Sequence, residues 1–483
     1  MPVSPNYKPD PRFMTLGPEF ADEVEPAAFP QSILRFRNDR AAATVGLDTL
    51  TDKEWLEHFA RFEPLPDGQP KRLATRYHGH QFRVYNPDLG DGRGFLFAQM
   101  REQGTGRLLD LSTKGSGLTP WSRTADGRLT LKGGVREVLA SEMLEALGVP
   151  TCRTFSLVET GEELQRPDEP SPTRSGVMVR LSATNIRIGT FQRLAFLGET
   201  DLIQVLIDHV VETYDPDLAV HEGAARAAPL LAKVVQRSAE LCARWMAAGF
   251  VHGVLNTDNL NVMGESFDYG PYRFLPQNDP NFTAAYFDQN GLYAFGRQPE
   301  AVMWNLNQLG GCFSMVVADK DPLVKALDGF VAAYRHALST ALVRRLGLQP
   351  RSEQENMGLA NAVFRALAEG GEKLRWEPFF FDWFGGAASE DRAMGGVRAP
   401  LYSGSAVGEL RGWFGMFEPD RPERVDGPYF KGPEPEELLY LDIEEIWSAI
   451  SERDDWGPFQ AKIHKIRTAG EAYGLAQAGP VAN

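Results

Sequence analysis

The sequence predicts an α+β protein of two lobes, the first rich in strands and the second helical. Three observations carry this. Up to about residue 199, short aromatic and aliphatic runs are punctuated by Gly, Pro, Asn and Asp. Beyond residue 200 the apolar residues recur at helical spacing. A polar loop at 250–274, rich in Asn, Asp and Gly, falls early in the helical part. With 483 residues the chain exceeds one average domain, and 43% apolar against 24% charged residues is the balance of a folded, soluble protein.

Residues 1–70 read as an N-terminal extension with Pro–acidic patches and one short helix near Asp52–Phe62. Thr51 caps that helix, with Glu54 completing a capping box. Residues 71–199 form the first lobe. Phe82, Val84 and Tyr85, then Asn86–Arg93, then Phe95–Ala98 predict a hairpin across the central loop. Leu108–Leu111 is a short apolar run leading into Lys114. Val135, Val138, Leu139, Met143, Leu144 and Leu147 predict a helix over 132–147, stopped by Gly148. Strands are expected near Thr154–Glu159 and Gly176–Leu181. Arg166–Ser175, with three prolines, is expected to be an exposed loop between them. Residues 200–370 form the second lobe, with helices over Leu202–Val211, Leu230–Ala248, Val302–Leu309, Leu323–Leu346 and Leu359–Ala368. Residues 371–483 form a C-terminal extension packed on that lobe. It is irregular to about 432 and closes with helices over Glu437–Ser451 and Phe459–Tyr473.

The loop at 250–274 carries the chemistry. His252-Gly253 opens a turn, Asn259 follows, and Asp268-Tyr269-Gly270 forms a second turn. Kinase-like folds place a catalytic Asp after such a His, a metal-binding Asn five residues later, and a second metal ligand in an Asp-Phe-Gly turn. Here Val254 stands where the catalytic Asp would be, and a carboxylate appears at Asp258. Asn259 and Asp268 supply the two oxygens that Mg²⁺ accepts while it keeps water and phosphate ligands. Asp258 is the candidate base, and His252 is expected to hold the turn. The spacing also allows a strand pair, Leu260–Met263 with Ser266–Phe267, between the two ligands. The order, strand-rich lobe before the metal loop and helices after it, favours a protein-kinase-like plan.

A polyphosphate needs cations. Gly90, Gly92 and Arg93 lie in a loop whose glycines permit close backbone approach. Lys114 follows a strand, and Glu137 on the next helix can orient it. Asp126-Gly127 forms a further turn able to line the site. Arg180 and Arg187 offer paired hydrogen bonds to phosphate oxygens. His78-Gly79-His80 has no companion Cys or carboxylate and is given no metal role. The formal charge of −15 opposes a broad nucleic-acid footprint. No stretch of 18 apolar residues occurs, so no membrane span is expected. Cys152, Cys242 and Cys312 lack zinc-ligand spacing and read as reduced thiols. A cytoplasmic protein follows as the expectation. The sequence leaves its oligomeric state open.

The chain resembles the SelO (YdiU) family of protein adenylyltransferase pseudokinases. The resemblance rests on Gly79-His80-Gln81-Phe82, Leu89–Arg93, Lys114–Gly117, Thr119–Arg123, Ser141-Glu142 and Arg180–Gly189. It continues through His252–Asn259, Asp268–Pro271 and Trp304-Asn305-Leu306. It implies a kinase-like two-lobed fold that transfers AMP from ATP, with Mg²⁺ or Mn²⁺, to Ser, Thr or Tyr hydroxyls of protein substrates. By the same resemblance Asp258 is the active-site carboxylate, and Asn259 and Asp268 are the metal ligands. Gly90, Gly92, Arg93, Lys114, Asp126, Gly127, Arg180, Arg187 and Asp268 contact nucleotide, and Glu137 orients Lys114. Leu118, Arg83 and Arg273 depart from the residues usual at their positions. Two other functions are compatible with the same residues: a kinase transferring the γ-phosphate, and an inactive nucleotide-dependent binding protein.

Overall fold

The computed structural model describes residues 3–167 and 169–475. Residues 1–2 and 476–483, at the ends of the expected outer segments, and Asp168 in the expected 166–175 loop lie outside them. The architecture is α+β: an eight-stranded antiparallel sheet followed by a large helical region.

The strands are β1 (Ala21–Glu23), β2 (Ile33–Arg37), β3 (Leu73–Thr75), β4 (Gly79–Gln81), β5 (Val84–Asn86) and β6 (Leu96–Arg101). They continue with β7 (Leu108–Lys114), β8 (Leu129–Thr130), β9 (Arg153–Leu164), β10 (Thr173–Ser182), β11 (Phe250–Val251) and β12 (Arg273–Phe274). The sheet runs β1-β3-β6-β7-β10-β9-β2, with β8 beside β10. Residues 1–70 thus lend both outer strands.

The helices of the first 200 residues are α1 (Asp39–Val45), α2 (Asp52–Phe59), α3 (Leu131–Ala146) and α4 (Ile188–Leu197). Helix α2 carries the expected capping box between Thr51 and Glu54. The helical region contains α5 (Thr200–Tyr214), α6 (Ala227–Ala247), α7 (Gln298–Phe313), α8 (Asp321–Asp328), α9 (Phe330–Arg345) and α10 (Glu353–Gly370). Between residues 371 and 432 lie the short α11 (Trp376–Asp382), α12 (Glu390–Gly395), α13 (Ser405–Phe414) and α14 (Pro422–Val425). Helices α15 (Tyr440–Arg453) and α16 (Gly457–Tyr473) follow.

Strand alternation aims the chemistry. Val177, Val179 and Leu181 of β10, with Leu109 and Leu111 of β7, join Trp55, Phe59 and Phe155 in the core under α2. Successive side chains point to opposite faces, so Arg180 and Lys114 point the other way. Arg180 pairs in register with Ser112, two residues before Lys114, which brings the two cations together on one face. That face packs against α3, where Val135, Val138 and Leu139 join Leu157 and Met178 in the largest core.

Four local expectations are corrected. First, β5 does not pair across the 86–93 loop. It pairs with β4, while β6 joins β3 and β7. The turn between β4 and β5 is Phe82-Arg83, both at left-handed φ of 50° and 63° with no glycine to signal it. Second, 260–263 and 266–267 do not pair with each other. Ile188 N donates to Leu260 O, Val262 N to Ile186 O, and Ser266 N to Pro150 O, so their backbone groups are already engaged. Third, the expected 323–346 helix is two helices, broken at Gly329. Fourth, Thr173–Ser175 belongs to β10 rather than the loop. No described helix is long and apolar enough to cross a membrane.

Candidate active site

The two-stranded ribbon of β11 and β12 closes the base of the 252–272 loop. Its first arm makes a 3-10 turn at Thr257–Asn259, with Asn259 N donating to Asn256 O at 3.0 Å. Asn305 of α7 donates to Leu255 O at 2.8 Å and fixes that arm from below. The buried His252 takes the holding role: its Nε2 donates to Phe267 O at 3.0 Å, tying the two arms together. The second arm ends at Asp268, whose φ of 59° is left-handed. A non-glycine residue held there costs about 1–3 kcal/mol and persists only where its surroundings fix it.

Asp268 is fixed by three cations. Arg180 Nη1 lies 2.6 Å from Oδ1, Lys114 Nζ 3.0 Å from Oδ1, and Arg187 Nη1 3.2 Å from Oδ2. Burial pushes this carboxyl up, but Arg180, Lys114 and Arg187 outweigh burial and hold it well below the usual carboxylate range. Lys114 also forms an ion pair with the buried Glu137 of α3. Arg187 stacks on Tyr77 at 4.4 Å and on Phe267 at 4.9 Å, and its Nη1 donates to the Asp258 backbone carbonyl at 3.2 Å.

Asp258 is different. Its side chain is only 7% exposed, and Oδ1 has no hydrogen-bond partner. Burial lifts its pKa to about 6, against the opposing pull of Arg187. A buried acceptor without a donor is expensive, and this one belongs to a residue that lines the cleft.

Around these groups lies a cleft of about 850 Å³. Gly90, Gly92, Arg93, Lys114, Asp126, Gly127, Arg180, Arg187, Asp258, Asn259 and Asp268 all line it, while Glu137 stands behind Lys114. The glycines serve the loops themselves. A Cβ on Gly90 would sit 2.3 Å from the Trp121 ring, and one on Gly127 would sit 2.2 Å from the Gly117 carbonyl. Trp121 in turn donates its indole N–H to Asp22 at 2.9 Å. Arg93 O accepts from Gly115 N at 2.7 Å, which clamps the 89–93 loop onto the end of β7. Asp126 on the rim is paired with Arg166 at 2.8 Å. Val254 also lines the cleft, with no carboxylate at its position.

Sequence reasoning passed over Asp91, Gln81, Tyr77 and Arg123, which line the same cleft. Asp91 is a carboxyl that burial lifts to about 6 against the pull of Arg187 and Arg180. Its signal in the sequence is its place between Gly90 and Gly92. The His78–Phe82 segment is accounted for as a clamp. His80 N donates to Thr257 Oγ1 at 2.7 Å and Phe82 N to Asn256 Oδ1 at 3.1 Å. A Cβ on Gly79 would sit 2.9 Å from Asp258 Oδ1, so only glycine lets the hairpin lie against that carboxylate.

The residues fit a hard divalent ion that shares its shell with phosphate. Asn259 spends its amide nitrogen on Val254 O at 2.8 Å, which leaves its oxygen to offer. Asp268 lines the same cleft. Among the described residues no cluster of three His, Cys, Asp or Glu could hold a metal.

Comparison with known proteins finds a family and close relatives. The family profile described as Protein adenylyltransferase SelO matches residues 4–394. A Synechocystis protein named Protein nucleotidyltransferase YdiU is 42% identical over 96% of this chain and 98% of its own length. A protein of the same name from Synechococcus elongatus is 54% identical over 70% of this chain and 68% of its own. One from Gloeobacter violaceus is 44% identical over 95% and 94% respectively.

Proposed function

Because the chain belongs to the SelO protein adenylyltransferase family and is a nucleotidyltransferase, we propose that it transfers AMP from ATP to Ser, Thr or Tyr hydroxyls of proteins. One observation carries the proposal: a buried carboxylate with an unpartnered oxygen, Asp258, shares a cleft with three cations converging on Asp268.

The chain's residues divide the work. Lys114, Arg180 and Arg187 bind the phosphates of ATP, and Arg93 meets them at the mouth. Glu137 positions Lys114. Asn259 and Asp268 would hold Mg²⁺ or Mn²⁺, which supplies charge neutralisation at the phosphate oxygens. Asp258 receives the proton of the acceptor hydroxyl. The hydroxyl oxygen bonds to the α-phosphorus, the bond from that phosphorus to the bridging oxygen breaks, and pyrophosphate leaves with the electron pair. A carboxyl with a pKa of about 6 is mostly ionised at neutral pH and still basic enough to take that proton. The buried, preformed cations supply the electrostatic stabilisation.

The protein-kinase-like two-lobed reading belongs to this proposal. It is supported by the sheet that carries the Lys114–Glu137 pair, by the loop that follows, and by the helices beyond. ATP labelled separately at the α and γ phosphorus tests the reaction. Label on protein from the α position is expected. Label from γ alone would replace AMP transfer with kinase chemistry.

A further inference from the structure

The Phe82-Arg83 turn reaches outward from the catalytic loop and is not consumed by the ATP site. Its strand β4 starts at Gly79, against Asp258. Gln81 still lines the cleft. Phe82 then stacks its edge on Phe287 at 5.7 Å and on Tyr293 at 4.9 Å. Tyr293 donates its hydroxyl to the same Asn256 Oδ1 that accepts from Phe82 N. The turn is therefore bolted to the residue two before Asp258.

Outside this bolt stands an apolar ledge. Tyr286 is 84% exposed and Phe287 48%. Tyr286 and Phe287 stand edge to face at 5.1 Å. Their loop is held in place: the buried Asp288 accepts from Leu292 N and Tyr293 N, each at 2.8 Å. Arg83 lies over the Trp304 ring at 5.4 Å and pairs with Glu300 at 2.8 Å, forming a polar rim. Aromatic residues in a water-exposed cluster with a polar rim are the composition of a protein-binding hot spot. Phe82 ties the ledge to Asn256, two residues before Asp258, so a molecule that presents a hydroxyl to Asp258 passes beside it.

On the AMP-transfer reading, on which this rests, we infer that the ledge of Phe82, Tyr286 and Phe287 seats an apolar side chain of the acceptor protein. From Gly79 to Phe82 the chain runs the length of β4 and one residue into its turn, at most about 10 Å. An extended acceptor segment with its hydroxyl at Asp258 therefore brings a residue about three positions away onto the ledge. The acceptor class is a protein segment with a hydroxyl and a bulky apolar residue at that spacing.

The test uses the full chain, Mg²⁺ or Mn²⁺, α-labelled ATP and a degenerate peptide library with a fixed central Ser, Thr or Tyr. Mass spectrometry identifies the labelled peptides. The parent enriches Phe, Leu, Met or Trp about three positions from the modified hydroxyl by about tenfold over Ser there. Tyr286→Ser and Phe287→Ser flatten that preference while calorimetric ATP affinity is retained, and Phe287→Leu keeps it. A parent preference unchanged in both Ser variants, or no positional preference in the parent, overturns the ledge and leaves AMP transfer standing. Label confined to the enzyme itself overturns a separate acceptor. Label from the α position on no protein or peptide overturns the transfer reading, and the ledge falls with it.

Discussion

Replacing Asp268 with Asn isolates the charge on which the site turns. Asparagine keeps the size of the side chain and removes one negative charge. In the parent that charge contacts Lys114, Arg180 and Arg187, each almost wholly buried. Removing one partner of a buried ion pair typically costs about 3–5 kcal/mol, because the other charge stays desolvated. Asp268→Asn should therefore unfold at lower temperature at neutral pH. The sign with pH is fixed by the depressed pKa of the parent carboxyl. The stability it contributes is present above the ordinary carboxylate range and is lost as pH falls through its own low pKa. The gap between parent and variant should close in acid. Anion binding moves the other way. A phosphate about 6 Å from the missing charge escapes a repulsion of about 3 kcal/mol at an effective dielectric of about 20. Metal-free pyrophosphate should then bind up to about 100-fold more tightly. Transfer of α-label with Mg²⁺ or Mn²⁺ should fall by at least about 100-fold, since a preorganised electrostatic element is gone. Calorimetry with pyrophosphate in chelator, thermal unfolding and the labelling assay read the three effects. Weaker pyrophosphate binding without metal, or parental transfer by a folded variant, would refute the reasoning.

Asp258→Asn should lower AMP turnover by about 10²–10⁴-fold with ATP affinity nearly unchanged, because the proposed general base is lost and no phosphate contact goes with it. Parental single-turnover rates in the folded variant would sink the assignment. Glu137→Gln should leave the Lys114–Asp268 pair and reduce kcat/KM for ATP by about tenfold by loosening Lys114; an unchanged value would make Glu137 merely structural. Gly90→Ala should destabilise by about 1–3 kcal/mol through overlap with Trp121. Gly90→Ala in a Trp121→Ala background should cost much less, and equal costs in the two backgrounds would reject the contact. Asp110 is buried, and burial lifts its carboxyl to about 6 despite hydrogen bonds from Gln99 and Asn185. A raised folded pKa gives stability that is full below about pH 4 and lost as pH rises through 6. Asp110→Asn should gain on the parent by about 3 kcal/mol between those limits. A difference constant with pH in parallel denaturant titrations would count against that.

Much of the candidate site is legible because its parts are local in sequence. Asp258, Asn259 and Asp268 share one loop, and a strand ending in Lys114 followed by a helix carrying Glu137 is a pattern readable from periodicity. The alternation that brings Arg180 beside Lys114 follows from the register of β7 and β10, which the sequence implies only once the two strands are known to pair. Pairing was the weak point. The β4–β5 turn uses Phe82 and Arg83 at positive φ, so the usual Gly or Asn signal is absent there and the local pattern points to the next loop instead. The missed Asp91 and the over-read 260–267 pair have a common cause. Their fate is decided by long-range partners, Arg187 and the 186–188 backbone, which no local pattern encodes.

Asp268 also shows why the arginines matter more than any single carboxylate. It faces two claims at once: three cations contact it, and the proposed chemistry asks it to hold a divalent ion as well. Four positive partners around one carboxylate would repel one another. The claims are reconciled when ATP enters, because its phosphates offer Arg180 and Arg187 several oxygens in bidentate geometry, which a shared carboxylate cannot match. The arginines can then turn toward phosphate without leaving the cleft, since Arg187 stays braced between Tyr77 and Phe267. Lys114 stays braced by Glu137. In the proposed mechanism Asp268 would then be free to turn toward Asn259. On this account metal affinity should rise steeply with nucleotide present, by linkage between the two ligands. Mn²⁺ titrated calorimetrically with and without a non-hydrolysable ATP analogue measures it. Equal Mn²⁺ affinity in the two titrations would break the argument, because it would mean that Asp268 never had to be shared.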